Sequence, residues 1–339
     1  MSVGLDIGTK TIKVVELSKD AKKPALKSAG AISYTLKTSI DKMQDEKELA
    51  DLAQSIRKLL KDSKISSRKI SISIPESLAY TRIMKFPLLN DQEIASAVKW
   101  EAEEYIPIPV KDAIIEHKIL ERQEVGNPPQ VIVLLVAVLR ELVEKYIKIL
   151  SLINLEVVGV ETELMSMARS LAVPEKTVLI LDIGSVSTNI AIAKNEELFF
   201  SRSIPTAGDA FTRAVAQSLG VSMEQADQYK RTYGLTEKQL EGKVGKALLP
   251  IFGAVIEDVR KTIHYYQMET KGEAPATIIL TGGTSGMPGV ASALTKALNT
   301  EVVIGNPFAK VEVEPEAAKN LAPYSPLYSV ALGLALRGD

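Results

Sequence analysis

Apolar and polar positions alternate at the start of the chain: Val3, Leu5 and Ile7, then Gly8-Thr9-Lys10-Thr11, then Ile12, Val14 and Val15. The pattern predicts a strand, a tight polar turn and a second strand. Ala25 to Leu36 predicts a third strand. Asp45 to Lys61 has helical spacing in Leu49, Leu52, Ala53, Ile56, Leu59 and Leu60, and Lys69 to Ile74 alternates as a strand that stops at Pro75. Three strands, a helix and a further strand make an α/β half-domain.

Residues 77–154 predict a different unit. Asn90-Asp91-Gln92-Glu93 offers an N-cap and an acidic first turn to a helix carrying Ile94, Ala97, Val98, Glu101, Ala102 and Tyr105. Ile106-Pro107-Ile108-Pro109 ends it, because a proline biases the residue before it away from helix. Strands follow at Ala113 to Leu120 and Val131 to Val138, separated by Val125-Gly126-Asn127-Pro128-Pro129, and Glu141 to Leu152 is again helical. Trp100 and Tyr105 form either a docking face or part of the packing on this unit's own sheet. Val157 to Val160 then resumes extended structure, Glu163 to Ala172 reads as helix, and Val173-Pro174-Glu175-Lys176 as a linker.

Past that linker the opening pattern returns. Val178 to Leu181 is an apolar strand, followed by Asp182-Ile183-Gly184-Ser185-Val186-Ser187-Thr188 and by Asn189-Ile190-Ala191-Ile192. Asp6 matches Asp182, Gly8 matches Gly184 and Thr9 matches Ser185. Such an internal repeat implies two related domains facing each other across a cleft. Backbone N–H groups and hydroxyls at each turn suit phosphate oxygens, and Asp6 and Asp182 suit a hydrated Mg²⁺ held through its waters. The plain alternative is a pair of tight hairpins with capping aspartates. Ala276 to Leu280 predicts another strand, running into Thr281-Gly282-Gly283-Thr284-Ser285-Gly286-Met287 and a helix through Val290, Leu294 and Leu298. Bare backbone at Gly282 and Gly283 lets a nucleoside lie close, with Met287 as a soft wall. Gly208 precedes a helix to Leu219. A further helix carries Asp227, suited to ribose hydroxyls, and Lys230, suited to covering the nucleotide, unless the two simply form an exposed ion pair.

Composition narrows the classes. Lys plus Arg number 41 and Asp plus Glu 42 in 339 residues, so no overall field favours nucleic acid. With no cysteine, disulfides and thiol nucleophiles are excluded, and the two histidines, His117 and His264, make a multi-histidine metal site unexpected. The start lacks the basic and apolar regions of a signal peptide. The apolar run Val131 to Leu139 is far shorter than the ~20 residues needed to cross a bilayer. Any membrane association is therefore expected through a partner or a surface patch.

Together the two turns, the Gly282-Gly283 loop and the Asp227–Lys230 helix resemble the actin/Hsp70/sugar-kinase ATPase superfamily. The unit inserted at 77–153 resembles the 1C subdomain of its FtsA branch. Within that branch, Val3 to Gly8 with Lys13 to Leu17, Trp100 to Pro107 and Tyr328 to Arg337 resemble the PilM family of type IV pilus assembly proteins. With Arg337-Gly338-Asp339 following directly, an amphipathic tail of the FtsA type is not expected. The resemblance implies an actin-like fold with subdomains 1A (1–76 and 154–174), 1C (77–153), 2A (175–205 and 272–339) and 2B (206–271). It implies ATP or ADP with Mg²⁺ at Gly8, Thr9, Lys10, Thr11, Lys13, Gly184, Ser185, Val186, Ser187, Thr188, Gly208, Asp227, Lys230, Gly282, Gly283, Thr284 and Met287, with Lys13 reaching back to the phosphates. It implies a cytoplasmic scaffold beneath the inner membrane that binds the N-terminal cytoplasmic segment of PilN. The groove for that segment is expected near Pro75 to Lys85 and the inserted strands.

Glu163 resembles a water-positioning glutamate of the bacterial actin homologue MreB, though Glu163-Leu164-Met165-Ser166 lacks the proline and alanine that follow it there. A helix-start carboxylate is its other reading. Slow or negligible hydrolysis is expected. A self-associating, filament-forming actin homologue and a small-molecule kinase are the rival functions.

Overall fold

The computed structural model describes residues 1–18, 23–36, 38–124, 128–236, 240–270 and 272–337. The predicted turn at Val125-Gly126-Asn127 and the terminal Gly338-Asp339 lie outside them. Strands β1 (Ser2–Ile7), β2 (Thr11–Ser18), β3 (Ala25–Ser33) and β4 (Lys69–Ile74) follow the predicted pattern. The third strand ends earlier than predicted, but its continuation stays paired: Tyr34 and Leu36 donate backbone N–H bonds to the carbonyls of Lys10 and Thr9. Three inserted strands come next, β5 (Ala79–Phe86), β6 (Ala113–Gln123) and β7 (Gln130–Leu139), before β8 (Glu156–Thr162) rejoins the first sheet. That sheet has the order β3-β2-β1-β4-β8, with β4 parallel to both β1 and β8.

The second sheet repeats this plan. It contains β9 (Thr177–Ile183), β10 (Thr188–Lys194), β11 (Glu197–Ile204), β12 (Thr277–Thr281) and β13 (Glu301–Ile304). Its order is β11-β10-β9-β12-β13, again a hairpin followed by two parallel additions. The repeat legible in the turns therefore extends to whole sheets. Helices Gly208–Leu219, Met223–Tyr233 and Lys243–Thr270 fill the span between β11 and β12.

The chain divides into two compact units, Met1–Ser166 with Glu197–Ser201 and Val330–Asp339, and Met167–Glu196 with Arg202–Ser329. Two expected boundaries move. The helix Arg140–Ser151, assigned from sequence to the insert, buries Leu142, Val143, Tyr146, Ile149 and Leu150 in one core with Leu5, Leu52, Ile56 and Ile72. The insert has its own core of Met84, Phe86, Ile94, Val98, Ala102, Val131, Val133 and Leu135, so by packing it ends near Leu139 rather than at 153.

Residues 272–339 also do not stay together. The helix Ser329–Leu336 enters the first unit, where β1 has a glycine to receive it: a Cβ on Gly4 would stand 2.1 Å from the Ala331 carbonyl oxygen. Gly333 on that helix lies equally close to the Ser166 carbonyl, and Ser166 Oγ donates to the Val330 carbonyl at 2.6 Å. Among the described residues, no helix is long and apolar enough to cross a membrane.

Candidate nucleotide-binding loops

In the first unit the β1–β2 hairpin closes through Gly8 N–H to the Thr11 carbonyl, 3.1 Å. The register sets Asp6 opposite Lys13, and Lys13 Nζ donates to Asp6 Oδ2 at 2.9 Å with both side chains buried. Lys13 Nζ also lies 3.1 Å from where a Gly8 Cβ would stand, so the ammonium sits directly beneath the turn. Thr9 and Thr11 are half-buried and Lys10 is exposed. A turn that carries hydroxyls outside and a buried cation inside is suited to phosphate.

The C-terminal ends of β4 and β8 emerge on the same side of the parallel strands as the end of β1, where open α/β sheets gather their ligands. There Glu163 starts the helix Glu163–Leu171, and its Oε2 accepts the Glu76 backbone N–H at 3.3 Å. The buried Tyr146 shares this neighbourhood. Burial first, and then the charges of Glu163, Asp6 and Asp41, push its hydroxyl above the ordinary tyrosine range. Glu76 is the residue that sequence reasoning passed over. Its carboxyl is almost wholly buried, accepts Thr81 Oγ1 at 3.1 Å, and is pushed up by burial against the opposing pull of its hydrogen bonds. Only its place directly after the strand-ending Pro75 could have drawn attention to it.

The second unit brings more of the expected residues together. Gly184 N–H donates to the Ser187 carbonyl at 3.0 Å, reproducing the first turn. Gly208 and Asp209, at the start of the Gly208–Leu219 helix, donate to the carbonyls of Gly184 and Ser185. A Cβ on Gly208 would meet Gly184 O at 3.0 Å and Thr284 Oγ1 at 3.3 Å, and Thr284 N–H bonds the Ile183 carbonyl at 3.1 Å. Gly282 has φ +84° and would press a Cβ to 2.3 Å from Asp182 Oδ1. It is therefore glycine for the fold's sake. Gly283 is exposed, and a Cβ there would find only Leu327 Cδ2, at 4.0 Å, so nothing in the fold itself forbids a side chain.

Asp182 lies opposite Asn189, whose Nδ2 donates to Asp182 Oδ2 at 3.3 Å. Ser203 Oγ donates to Asn189 Oδ1 at 2.7 Å, which orients the amide. Asn189 was missed, although counting seven residues on from each aspartate would have found it beside Lys13.

Three expected residues are engaged elsewhere. Thr188 Oγ1 donates to the Thr206 carbonyl at 2.7 Å. Lys230 is buried, donating to the Gly208 carbonyl, Thr212 Oγ1 and Asp227 Oδ1, so it props the start of the Gly208–Leu219 helix. Met287 is buried beside Gly234 instead of forming an open wall. Asp227 keeps a partly open carboxylate between Lys230 and Arg231. Burial alone would raise it, but those hydrogen bonds and charges outweigh burial and hold it down at about 2. Val186 and Ser187 stay at the surface of the turn. Among the described residues, no group of three or more His, Asp or Glu side chains is arranged to hold a metal ion directly.

Two five-stranded sheets of one order, each with an Asp-Ile-Gly turn after its first strand, define an actin-like ATPase fold. MreB5 of Spiroplasma citri, in a structure bound to AMPPNP, shares it at TM-score 0.55 and 14% identity over 98% of this chain and 93% of that one. The chain belongs to the family of type IV pilus assembly protein PilM, whose model matches residues 4–339. A solved PilM-PilN type IV pilus biogenesis complex matches with TM-score 0.85 and 28% identity, covering 99% of this chain and 98% of that one. Cell division protein FtsA of Pseudomonas aeruginosa is 28% identical over 183 residues, 48% of this chain and 42% of that protein. The chain thus spans less than half the length of the FtsA relatives it matches.

Proposed function

We propose that this chain is a nucleotide-responsive scaffold of the type IV pilus inner-membrane platform, holding the cytoplasmic N-terminal segment of PilN. The observation that carries this reading is the match of nearly the whole chain to a PilM in complex with PilN. The inserted sheet supports it, because its order β5-β7-β6 leaves β5 at an edge within the expected 75–85 region. An extended segment adding to an edge strand gains main-chain hydrogen bonds. Attachment through a membrane-anchored partner would place the chain at the cytoplasmic face.

The loops are assigned to an adenine nucleotide. Gly8 and Gly184 close matching turns for phosphate oxygens, Lys13 supplies a cation beneath the first turn, and exposed Gly283 leaves room for a flat base. Mg²⁺, when bound, would neutralise phosphate charge, with Asp6 and Asp182 holding its waters. The subdomain scheme is retained with the insert ending near Leu139 and the Ser329–Leu336 helix counted with the first unit. Hydrolysis is slow in this reading, because Glu163-Leu164-Met165-Ser166 lacks the proline and alanine that follow the water-positioning glutamate of MreB. Nucleotide then acts by shifting a conformational population that the partner reads. The test is capture of the PilN N-terminal peptide with and without Mg-ATP. Capture that responds to nucleotide is the expected result, and no capture in either condition would sink the scaffold reading.

A further inference from the structure

The stretch Arg57–Lys69 concentrates charge of one sign. Arg57, Lys58, Lys61, Lys64, Arg68 and Lys69 fall within it, whereas 41 basic residues in 339 would place one or two in a stretch of that length. Asp62 is the one carboxylate among them. All six cations are exposed, and none forms an ion pair among the described residues. Glu156, paired in register with Lys69 on the neighbouring strand, still leaves the surface net positive.

The fold gathers these residues at one end of the first sheet. Leu52, Ile56, Leu59 and Leu60 bury one face of the Glu46–Asp62 helix, which turns Arg57, Lys58 and Lys61 outward. The helix closes with a bond from Ile65 N–H to the Leu60 carbonyl, 2.9 Å, and the chain then passes Arg68 and Lys69 into β4. The macrodipole favours cations in a helix's last turn, which accounts for Lys61 and for Lys64 just beyond it. It does not reach Arg57 and Lys58, a turn earlier, or Arg68 and Lys69 at the strand. Lys64 has φ +55°, the left-handed helix-ending position that glycine takes without strain. A lysine there gives up some stability and adds a cation. The surface stands at the start of β4, whereas the insert leaves from that strand's far end, roughly 20 Å away for six extended residues.

We infer that the Arg57–Lys69 surface lies against the anionic headgroups of a lipid bilayer. A bilayer presents many phosphates on a plane, and long Lys and Arg side chains reach them without a shaped pocket. The stretch holds no aromatic side chain to stack on bases, and the chain's near-zero net charge gives no long-range field for a nucleic acid. The bilayer's nearness comes from the proposed function, on which the inference rests for that point alone. A membrane-anchored partner fixes the chain's distance from the lipid; a basic surface fixes which face is turned to it. The two contacts reinforce each other through effective concentration.

The test is flotation of the full chain, without partner or nucleotide, on two kinds of vesicle. One is phosphatidylcholine alone and the other phosphatidylcholine mixed with an equal amount of phosphatidylglycerol. Binding is expected only with phosphatidylglycerol, and should fall at least about tenfold between ionic strengths of about 0.05 and about 0.5 M. The pair Lys61→Glu and Lys64→Glu, and the pair Arg57→Glu and Arg68→Glu, should each weaken it at least about tenfold. The pair Lys61→Arg and Lys64→Arg should bind like the parent. So should Lys246→Glu with Lys261→Glu, the same change of charge on the exposed side of the Lys243–Thr270 helix. An unchanged thermal midpoint confirms that each variant is folded. No binding to either vesicle, equal binding to both, indifference to salt, or Arg57–Lys69 variants that bind like the parent would overturn the inference. Equal loss from the Lys246 and Lys261 pair would do the same, because net charge rather than this surface would then be at work. Tighter binding to a short DNA duplex than to the anionic vesicles would instead assign the surface to nucleic acid. PilN is absent from this assay, so its failure and the failure of peptide capture are told apart.

Discussion

Lys13 and Asn189 occupy the same place in two copies of one hairpin, each seven residues past an aspartate and paired across the strands with it. The first aspartate meets an ammonium at 2.9 Å, the second an amide at 3.3 Å. The duplication has kept the geometry while changing the charge. Lys13→Ala leaves the Asp6 carboxylate buried without that cation, at a cost of about 3–5 kcal/mol. Asn189→Ala removes an ordinary buried hydrogen bond, about 1–3 kcal/mol. Urea denaturation of both variants should give that ranking, and equal losses would contradict the assigned pairing.

The two adjacent glycines should separate stability from binding. Gly282→Ala forces a Cβ against Asp182 at a positive φ and should lower the thermal midpoint. Gly283→Ala should melt like the parent yet bind a fluorescent ATP analogue about tenfold more weakly, about 1.4 kcal/mol. Normal nucleotide binding by a folded Gly283→Ala protein would remove the loop from the site.

Asp6→Ala and Asp182→Ala should each weaken retention of Mg-ATP, read by equilibrium dialysis with and without Mg²⁺. Because Asp6 pairs with Lys13, Asp6→Asn is the milder companion that keeps a partner for the ammonium. If both alanine variants retain nucleotide like the parent, the metal assignment fails.

Asp227 titrates at about 2 in the folded chain against 3.8 for an unperturbed carboxyl. A depressed acid adds stability that is fully present above the unfolded value and disappears as pH falls through the folded one. The stability advantage over Asp227→Asn should therefore persist near pH 5 and shrink between about pH 4 and pH 2. Because the carboxylate is partly exposed, the effect is modest and weaker in salt.

Glu76 has the opposite sign. Burial raises its carboxyl above 4.5, so ionising it costs the folded state stability as pH climbs past that value. Glu76→Gln keeps an acceptor for Thr81 Oγ1 and removes the charge. It should raise the melting temperature at neutral pH, with the gain fading as pH falls to about 4.5 and below. A variant less stable than the parent at neutral pH, with the deficit shrinking as pH falls, would show instead that the carboxylate is held ionised.

Sequence patterning located the hairpins, the inserted unit and the glycine loop because each rests on local rules: period-two apolar residues, a proline stop, an Asn90 cap. It misassigned the Arg140–Ser151 helix because an amphipathic face does not state which sheet it covers. The spacing of Leu142, Tyr146 and Ile149 fits either core equally well. Lys230 and Thr188 are expected at the ligand, but their hydrogen bonds go to the backbone carbonyls of Gly208 and Thr206, which other segments supply. Glu76 is invisible for a related reason: its burial depends on Thr81 and on Thr162, eighty-six positions further along the chain.

The bare Gly4 backbone, pressed against the Ser329–Leu336 helix, also bears on biosynthesis. Ribosomes release roughly 5–20 residues per second, and domains ordinarily fold in the order they emerge. Here the first strand leaves the ribosome before the whole central unit and must wait for the Ser329–Leu336 helix, made after that unit, to cover it. The central unit, Met167–Glu196 with Arg202–Ser329, holds all its own residues before that helix has been made. The order of completion therefore inverts the order of translation, and the nascent first unit is the part most in need of protection while the chain is being made.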